Sequence, residues 1–199
     1  MQKSKTCLYK VMVNFSILMI QTLKIFQKAL LLLYVFRNTC LTLPRTECLS
    51  IDEQMMPFSG RCPMRQYLLS KPNPVGLKKF VLGAPDGLVL DFLIYTGADI
   101  VPVEDKQLYG LGGASGWYYT NRKVTHLFTD RYFTGLAILD YLVSRNVYLT
   151  GTVMTNRTDG VAESFLKDTC MERGSSVSRR SEDGKACLAK CKDKKSVLL

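Results

Sequence analysis

Two aspartates, Asp52 and Asp130, each close an apolar, strand-forming segment and precede a break in the pattern. If the two strands are neighbours in a sheet, the carboxylates converge at one edge, where their charges repel unless a cation lies between them. Carboxylate oxygens suit Mg²⁺ or Mn²⁺, which also bridge to phosphates. Metals held in this way can activate a nucleophile for phosphodiester cleavage. Acids end strands routinely, so a pair of solvated carboxylates is the alternative.

A basic segment follows the first aspartate. Between Glu53 and Asp86 the chain has five basic residues and no acid, with Tyr67 and Phe80 interleaved. The basic residues are Arg61, Arg65, Lys71, Lys78 and Lys79. Such a run beside carboxylates indicates a surface that contacts the phosphates of a nucleic acid. The alternative is an ordinary solvated loop.

Other candidate sites are less specific. The glycine-rich segment 109–117 lacks the spacing of the known phosphate-binding loops. The seven cysteines include no CxxC pair and the chain has one histidine, His126, so a zinc site is not expected. Asp91 and Asp140 are further acids of the right type, but one falls within a predicted strand and the other within a predicted helix.

The elements that would position these residues follow from hydrophobic periodicity. Strands are predicted at 47–55, 78–84, 88–97, 124–130 and 146–153, a helix at 132–145, a loop at 57–77 and an irregular crossover at 98–123. The second and third strands flank the turn 85–87 and form an antiparallel hairpin. The polar tail 157–199 contains one further candidate strand at 186–191. This order predicts a mixed α/β sheet flanked by helices.

The chain ends differ from the middle in charge. Residues 1–46 carry seven basic side chains and no acid, so much of the formal net charge of +10 lies outside the central region. The apolar segment 11–36 is interrupted by Lys24 and Lys28, which share one face of a helix. An amphipathic packing helix is therefore favoured, and a membrane segment is the alternative.

Four segments carry a specific pattern, which reads LSIDEQMMPFSGRCPMRQYLLSKPNPVGLKKFVL, GLVLDFLIYTG, HLFTDRYFTGLAILDYL and GTVMTNR. They closely resemble the piggyBac transposases and the transposable element-derived proteins descended from them. The resemblance implies a partial RNase H-like catalytic domain with a DDE-type acid set. Asp52 and Asp130 match its first and second aspartates. It also implies Mg²⁺ or Mn²⁺ as cofactor, transposon-end or genomic DNA as partner, a homodimer and a nuclear location, with membrane association through 11–36 as the alternative.

The resemblance divides the chain into a poorly matching N-terminal helical segment, 1–36, and the N-terminal part of a catalytic domain, 37–199. Two departures bear on activity. Arg131 stands where the family has asparagine, and the family's third aspartate lies beyond the tract that ends at Leu199. We therefore expect a truncated chain that no longer cleaves or joins DNA strands. The alternative is a domesticated DNA- or protein-binding module without catalysis.

Overall fold

The computed structural model describes residues 24–60, 62–69, 71–97, 100–117 and 126–199. The chain divides after Leu43 into two compact units, Met1–Leu43 and Pro44–Leu199. The first part of the predicted apolar segment 11–36 lies outside the described residues. The predicted domain boundary between residues 36 and 37 stays a prediction, and the described helix is continuous through that position.

The first unit contains helix α1, Lys24–Thr42. Leucine, alanine, lysine and glutamine dominate its first half, and these residues have high helix propensity. Its apolar side chains include exposed ones at Leu31, Leu32 and Val35. Within the described ranges, none of the helices combines the length and the apolar character that crossing a membrane requires.

The second unit contains a six-stranded mixed sheet, as predicted, with the order β2-β3-β1-β5-β6 and with β4 paired to β3. The strands are β1 (Cys48–Pro57), β2 (Arg65–Tyr67), β3 (Val75–Gly83), β4 (Val89–Ile94), β5 (His126–Thr129) and β6 (Tyr148–Gly151). β1 is antiparallel to β3 and parallel to β5, which is parallel to β6. β3 and β4 form the predicted hairpin. The predicted loop 57–77 was partly wrong, because it contains β2 and the start of β3.

The hydrophobic core beside β1 and β5 lies on one face of this sheet, while Leu77 and Phe92 are buried on the other face of the hairpin. In β1, Leu49 and Ile51 are buried whereas Ser50 and Asp52 are exposed, because successive side chains of a strand point to opposite faces. The strand pairing extends the buried face to Leu82 in β3 and Leu127 in β5. The opposite face of β1 and β5 therefore carries the exposed acid.

Two further helices belong to this unit. Helix α2 spans Val103–Trp117, with two helical segments that meet at Gly110, whose φ of 69° and ψ of 167° are not helical. The irregular crossover predicted at 98–123 was wrong over this range, because the glycines concealed a helix. Helix α3, Leu136–Val143, buries Ile138 and Leu142 and confirms the predicted helix, although it begins at residue 136 and not at 132, after a turn at 131–133.

The C-terminal region forms a separate three-stranded antiparallel sheet of β7 (Ser176–Arg180), β8 (Cys187–Lys192) and β9 (Ser196–Leu198). β8 confirms the predicted strand 186–191 over residues 187–191, and its neighbours were not predicted. Asp168 precedes this sheet and pairs with Lys190 at 2.8 Å and with Lys192 at 3.7 Å. Hydrogen bonds from Lys190 and Ser196 hold the pKa of Asp168 well below its usual value. These contacts attach the segment before β7 to the small sheet.

Candidate metal site where strand β5 ends beside β1

The pairing of β1 with β5 places the two candidate aspartates side by side. In the parallel register Ser50 pairs with Phe128 and Ile51 with Thr129, so the next positions along the two chains are Asp52 and Asp130. Paired residues of neighbouring strands lie on the same face, and the strands are about 4.8 Å apart. Both acids are exposed. The sheet thus brings the chain positions of the two acids that the sequence singled out next to each other.

The backbone around Asp52 is extended. β1 continues to Pro57, so Asp52 does not close its strand as the sequence suggested. It lies instead where the paired partner β5 ends, at Thr129. Its Oδ1 accepts a hydrogen bond from the backbone N–H of Glu53 at 2.7 Å. Asp52 is therefore held within a regular strand, whereas the backbone after Asp130 turns away from the sheet.

A tight turn holds the second acid. The Oδ1 atom of Asp130 accepts a hydrogen bond from the N–H of Tyr132 at 2.9 Å. Its carbonyl oxygen accepts bonds from the N–H of Phe133 at 3.1 Å and from the N–H and hydroxyl of Thr134 at 3.2 and 2.8 Å. The Thr134 hydroxyl also bonds the hydroxyl of Thr129 at 2.8 Å. Phe133 is buried, so the turn is anchored in the core.

Two glycines allow other elements to approach this turn. A Cβ atom on Gly151 of β6 would contact the carbonyl oxygen of Thr129 and lie 2.6 Å from the Thr134 hydroxyl. A Cβ atom on Gly112 of α2 would contact the carbonyl oxygen of Tyr132. The glycine-rich segment 109–117 therefore lets a helix pack against the turn, which explains its composition without a phosphate loop.

An ion-pair cluster lies on the core side of β1. Glu53 accepts a contact from Lys78 Nζ at 2.6 Å and from Lys71 Nζ at 3.3 Å. The Lys78 ammonium also lies 4.5 Å from the centroid of the Tyr132 ring. Burial disfavours the charged form of Glu53, but the hydrogen bonds and charges of the two lysines outweigh it and lower its pKa. Burial, followed by the charge of Glu53, raises the pKa of Tyr132.

The five basic residues of the predicted nucleic-acid surface thus have different environments. Lys71 and Lys78 are partners of Glu53, and Lys78 is 8% exposed, so the prediction missed their part in the interior. Arg65 is exposed and donates to two carbonyl oxygens of the loop at 3.3 Å. Lys79 lies on the Asp52 face of β3. Arg61 falls outside the described residues.

The remaining candidate acids do not join the pair within the part of the chain that the structure describes. Asp91 is buried and pairs with Leu82, which lies on the core face of the sheet. Asp140 lies on the exposed side of α3. Across the described residues, no group of three or more His, Cys, Asp or Glu side chains is arranged to hold a metal ion. Two carboxylates on one exposed face fit a divalent cation that keeps its other positions for water or phosphate.

Sequence reasoning missed Arg157. This half-buried residue ends a short 3₁₀ helix, Thr155–Arg157, after β6. Its Nη1 atom donates to the carbonyl oxygens of Tyr132 at 2.8 Å and of Thr134 at 3.1 Å, with a longer contact to that of Arg131 at 3.4 Å. Arg157 ends the GTVMTNR segment that carries the family resemblance, but a basic residue that bonds backbone carbonyls leaves no periodic signal, so the pattern assigned it no part in the site.

Comparisons with known proteins place this geometry in a family. The family model described as Transposase IS4 matches residues 24–199. The human piggyBac transposable element-derived protein 3 is 29% identical over 138 residues, which are 66% of this chain and 23% of that protein. The human chimeric ERCC6-PGBD3 protein is also 29% identical over 138 residues, which are 66% of this chain and 13% of that protein. The chain therefore spans less than a quarter of the length of either curated relative.

A solved structure has the same fold. The cryo-EM structure of a piggyBac transposase synaptic complex with hairpin DNA superimposes with a TM-score of 0.66 and 24% sequence identity, over 88% of this chain and 37% of that chain. The family match and the shared fold are consistent with each other. The chain belongs to the piggyBac-type transposases of the Transposase IS4 family.

Proposed function

We propose that Asp52 and Asp130 jointly bind a divalent cation, Mg²⁺ or Mn²⁺, as part of a DDE-type DNA transposase site. The observation that carries this proposal is the parallel register of β1 and β5, whose last pair, Ile51 with Thr129, directly precedes the two exposed acids. The match to the transposase family supports DNA as the substrate. The solved neighbour, whose description names hairpin DNA, supports it further.

The residues of the site have separable parts in this proposal. Asp52 and Asp130 supply the metal-binding oxygens, and the Tyr132 N–H orients the Asp130 carboxylate. Lys79, on the same face as Asp52, attracts the DNA backbone. A bound divalent ion would supply charge neutralisation at the phosphate and a more acidic water molecule. Lys71 and Lys78 compensate Glu53 and keep its charge from adding to that of the site.

Metal binding tests the site directly. Titration of the ¹⁵N-labelled chain with Mn²⁺ should broaden the amide signals of residues 51–53 and 129–132 first, because paramagnetic broadening is strongest near the ion. Asp52→Asn and Asp130→Asn should each weaken Mn²⁺ binding about tenfold or more, since each removes one of two charged ligands. Asp193→Asn is the matched control, because this aspartate is 72% exposed and pairs with Arg173. Unchanged Mn²⁺ affinity in both site variants would exclude the proposed metal site.

DNA binding without cleavage is the second expectation. We propose that the chain binds duplex DNA through its charge but does not complete strand cleavage, because Asp52 and Asp130 supply only two carboxylates to a chemistry that positions two metals. Affinity should fall steeply with salt, and the double variant Arg65→Gln/Lys79→Gln should reduce the slope of log K against log salt by about 2. Fluorescence anisotropy with terminal-repeat DNA of the piggyBac type measures both quantities.

The control for charge is Arg173→Gln/Lys185→Gln, which removes two exposed cations near the three-stranded sheet. Lys78 is left unchanged because it is buried. The same samples are incubated with Mn²⁺ and resolved on a denaturing gel. Salt-independent binding would contradict the electrostatic surface. Cleavage by the unmodified chain that is lost in Asp52→Ala would contradict the inactive state, and would show that the third ligand comes from within the chain or from a partner.

Localisation and assembly complete the proposal. A protein that acts on chromosomal DNA works in the nucleus, and we propose that location together with a homodimer, as the family resemblance implies. Microscopy of the tagged chain tests the location, and exclusion from the nucleus would contradict it. Light scattering of the purified chain measures its mass, and a monomer at micromolar concentration would contradict the dimer.

A further inference from the structure

Arg157 contacts the turn after Asp130 at three points. Its Nη1 atom lies 2.8 Å from the carbonyl oxygen of Tyr132, 3.1 Å from that of Thr134 and 3.4 Å from that of Arg131. A hydrogen bond from a charged donor to a carbonyl oxygen is stronger than one between neutral groups. One side chain therefore holds the backbone of the whole turn, from the residue after the aspartate to Thr134.

One of these contacts leads directly to the aspartate. The carbonyl of Arg131 and the N–H of Tyr132 belong to a single peptide unit, which is planar and moves as one body. The N–H of this unit donates to Oδ1 of Asp130 at 2.9 Å, while its carbonyl faces Arg157. The positive guanidinium draws electron density toward the Arg131 carbonyl oxygen, and this makes the Tyr132 N–H a stronger donor, because linked hydrogen bonds polarise one another.

The turn is confined from another direction as well. Gly112 of α2 approaches the Tyr132 carbonyl so closely that a Cβ atom would collide with it. This is the same carbonyl that receives the shortest bond from Arg157. The Tyr132 carbonyl is therefore held by a charged donor on one side and by the backbone of α2 on the other. This confinement leaves the turn, and with it the Asp130 carboxylate, little freedom to move.

We propose that Arg157 is a positioning residue for the metal site, and that it sets the orientation of the Asp130 carboxylate through the Arg131–Tyr132 peptide. This inference rests on the proposed function, in which Asp130 is a metal ligand. Groups that orient a ligand without touching the metal influence metal affinity, and their loss costs roughly 10- to 100-fold. A residue with only a structural role would change stability and leave the affinity of the folded protein unaltered.

The experiment compares Mn²⁺ affinity with fold in four variants of the full chain. Arg157→Gln removes the charge and the paired donors, and we expect it to weaken Mn²⁺ binding about tenfold. Arg157→Lys keeps the charge without the planar guanidinium, and its affinity should lie between those of the wild type and the glutamine variant. Arg173→Gln controls for loss of an exposed arginine, and Asp130→Asn reports on the site itself. Circular dichroism measures the fold of each variant.

Amide hydrogen exchange gives a second measurement that needs no metal. The N–H groups of Tyr132 and Phe133 donate hydrogen bonds to Asp130. We expect both amides to exchange several-fold faster in Arg157→Lys than in the wild type. This variant replaces Arg157→Gln in the experiment if the glutamine variant does not fold. Weaker Mn²⁺ binding at preserved fold, with faster exchange at these amides, supports the inference. If both Arg157 variants bind Mn²⁺ with wild-type affinity, the inference about Arg157 is overturned. If Asp130→Asn loses Mn²⁺ binding in the same experiment, the proposed metal site is still supported. Unchanged binding in Asp130→Asn overturns the metal site and this inference together.

Discussion

Replacement of Lys78 by methionine is expected to lower the free energy of unfolding by about 3 kcal/mol, the lower end for breaking a buried pair, because Glu53 then keeps only its longer and more exposed contact with Lys71. Lys78 is 8% exposed and lies 2.6 Å from Glu53. Its ammonium also lies 4.5 Å from the centroid of the Tyr132 ring. Methionine has a similar volume, so the loss reports on charge and not on a cavity. Chemical denaturation at neutral pH measures the change.

The matched control is Lys71→Met, which removes the longer and more exposed of the two contacts with Glu53. It should cost clearly less than Lys78→Met. Replacing both members of the buried pair, as in Glu53→Leu/Lys78→Met, should recover much of the loss, since the one charge left without its partner is then Lys71, whose side chain is 29% exposed and can reach water. Equal losses in the two lysine variants would show that the 2.6 Å contact is no more important than the exposed one.

The pH dependence of this loss has a defined sign. The folded state lowers the pKa of Glu53, so its ion pairs stabilise the protein above the unfolded-state value and cease to do so as the pH falls through the lowered folded-state value. The difference between wild type and Lys78→Met should therefore be largest near neutral pH and shrink in acid. Urea titrations repeated between neutral and acidic pH follow it.

Gly112→Ala is expected to destabilise the protein by about 2 kcal/mol through overpacking, against the gain of about 1 kcal/mol that helix propensity alone predicts. The added methyl group would collide with the Tyr132 carbonyl, which is backbone and cannot rotate away as a side chain would. Either α2 or the turn after Asp130 must shift. The same variant should therefore also weaken Mn²⁺ binding at the proposed site, measured beside the unfolding free energy.

Gly113→Ala, one residue further along α2, is the control for this prediction. Its Cβ would lie 3.2 Å from Tyr109 Cβ and 3.4 Å from Ile138 Cβ, which are tight contacts but with side chains. Its effect should be smaller than that of Gly112→Ala, because side chains can yield by a few tenths of an ångström. A stabilising effect of Gly112→Ala would mean that α2 packs less closely on the turn than the structure shows.

The sheet could be predicted from the sequence where its signals are local. β1 alternates buried and exposed residues, the hairpin of β3 and β4 surrounds a recognisable turn, and β5 ends at an acid before an amphipathic helix. The expectation that Asp52 and Asp130 are neighbours followed from those elements and from the family motif. The parallel pairing that brings them together links distant segments, and no local pattern specifies such a pairing.

Failures of prediction have equally specific causes. Helix α2 escaped notice because its glycines lower helix propensity, although two of them serve close packing. Lys78 and Lys79 were taken as one basic surface, yet adjacent residues of a strand point to opposite faces, so one of them had to face the core. The same alternation separates Asp52 from Glu53. That rule was available from the sequence and would have pointed to the Glu53–Lys78 pair.

The parallel register of β1 and β5 also determines when the site comes into existence. The hairpin of β3 and β4 closes a short loop, whereas Cys48 must pair with His126, about half the length of the second unit away along the chain, before the two acids become neighbours. Contacts between distant segments form slowly, because the chain must lose the entropy of a long loop before the new contacts can stabilise it. A cation that recognises both aspartates therefore binds the folded chain and not its unfolded form. By mass action such a cation would raise the free energy of unfolding of the sheet, and the increase would grow with the concentration of the metal.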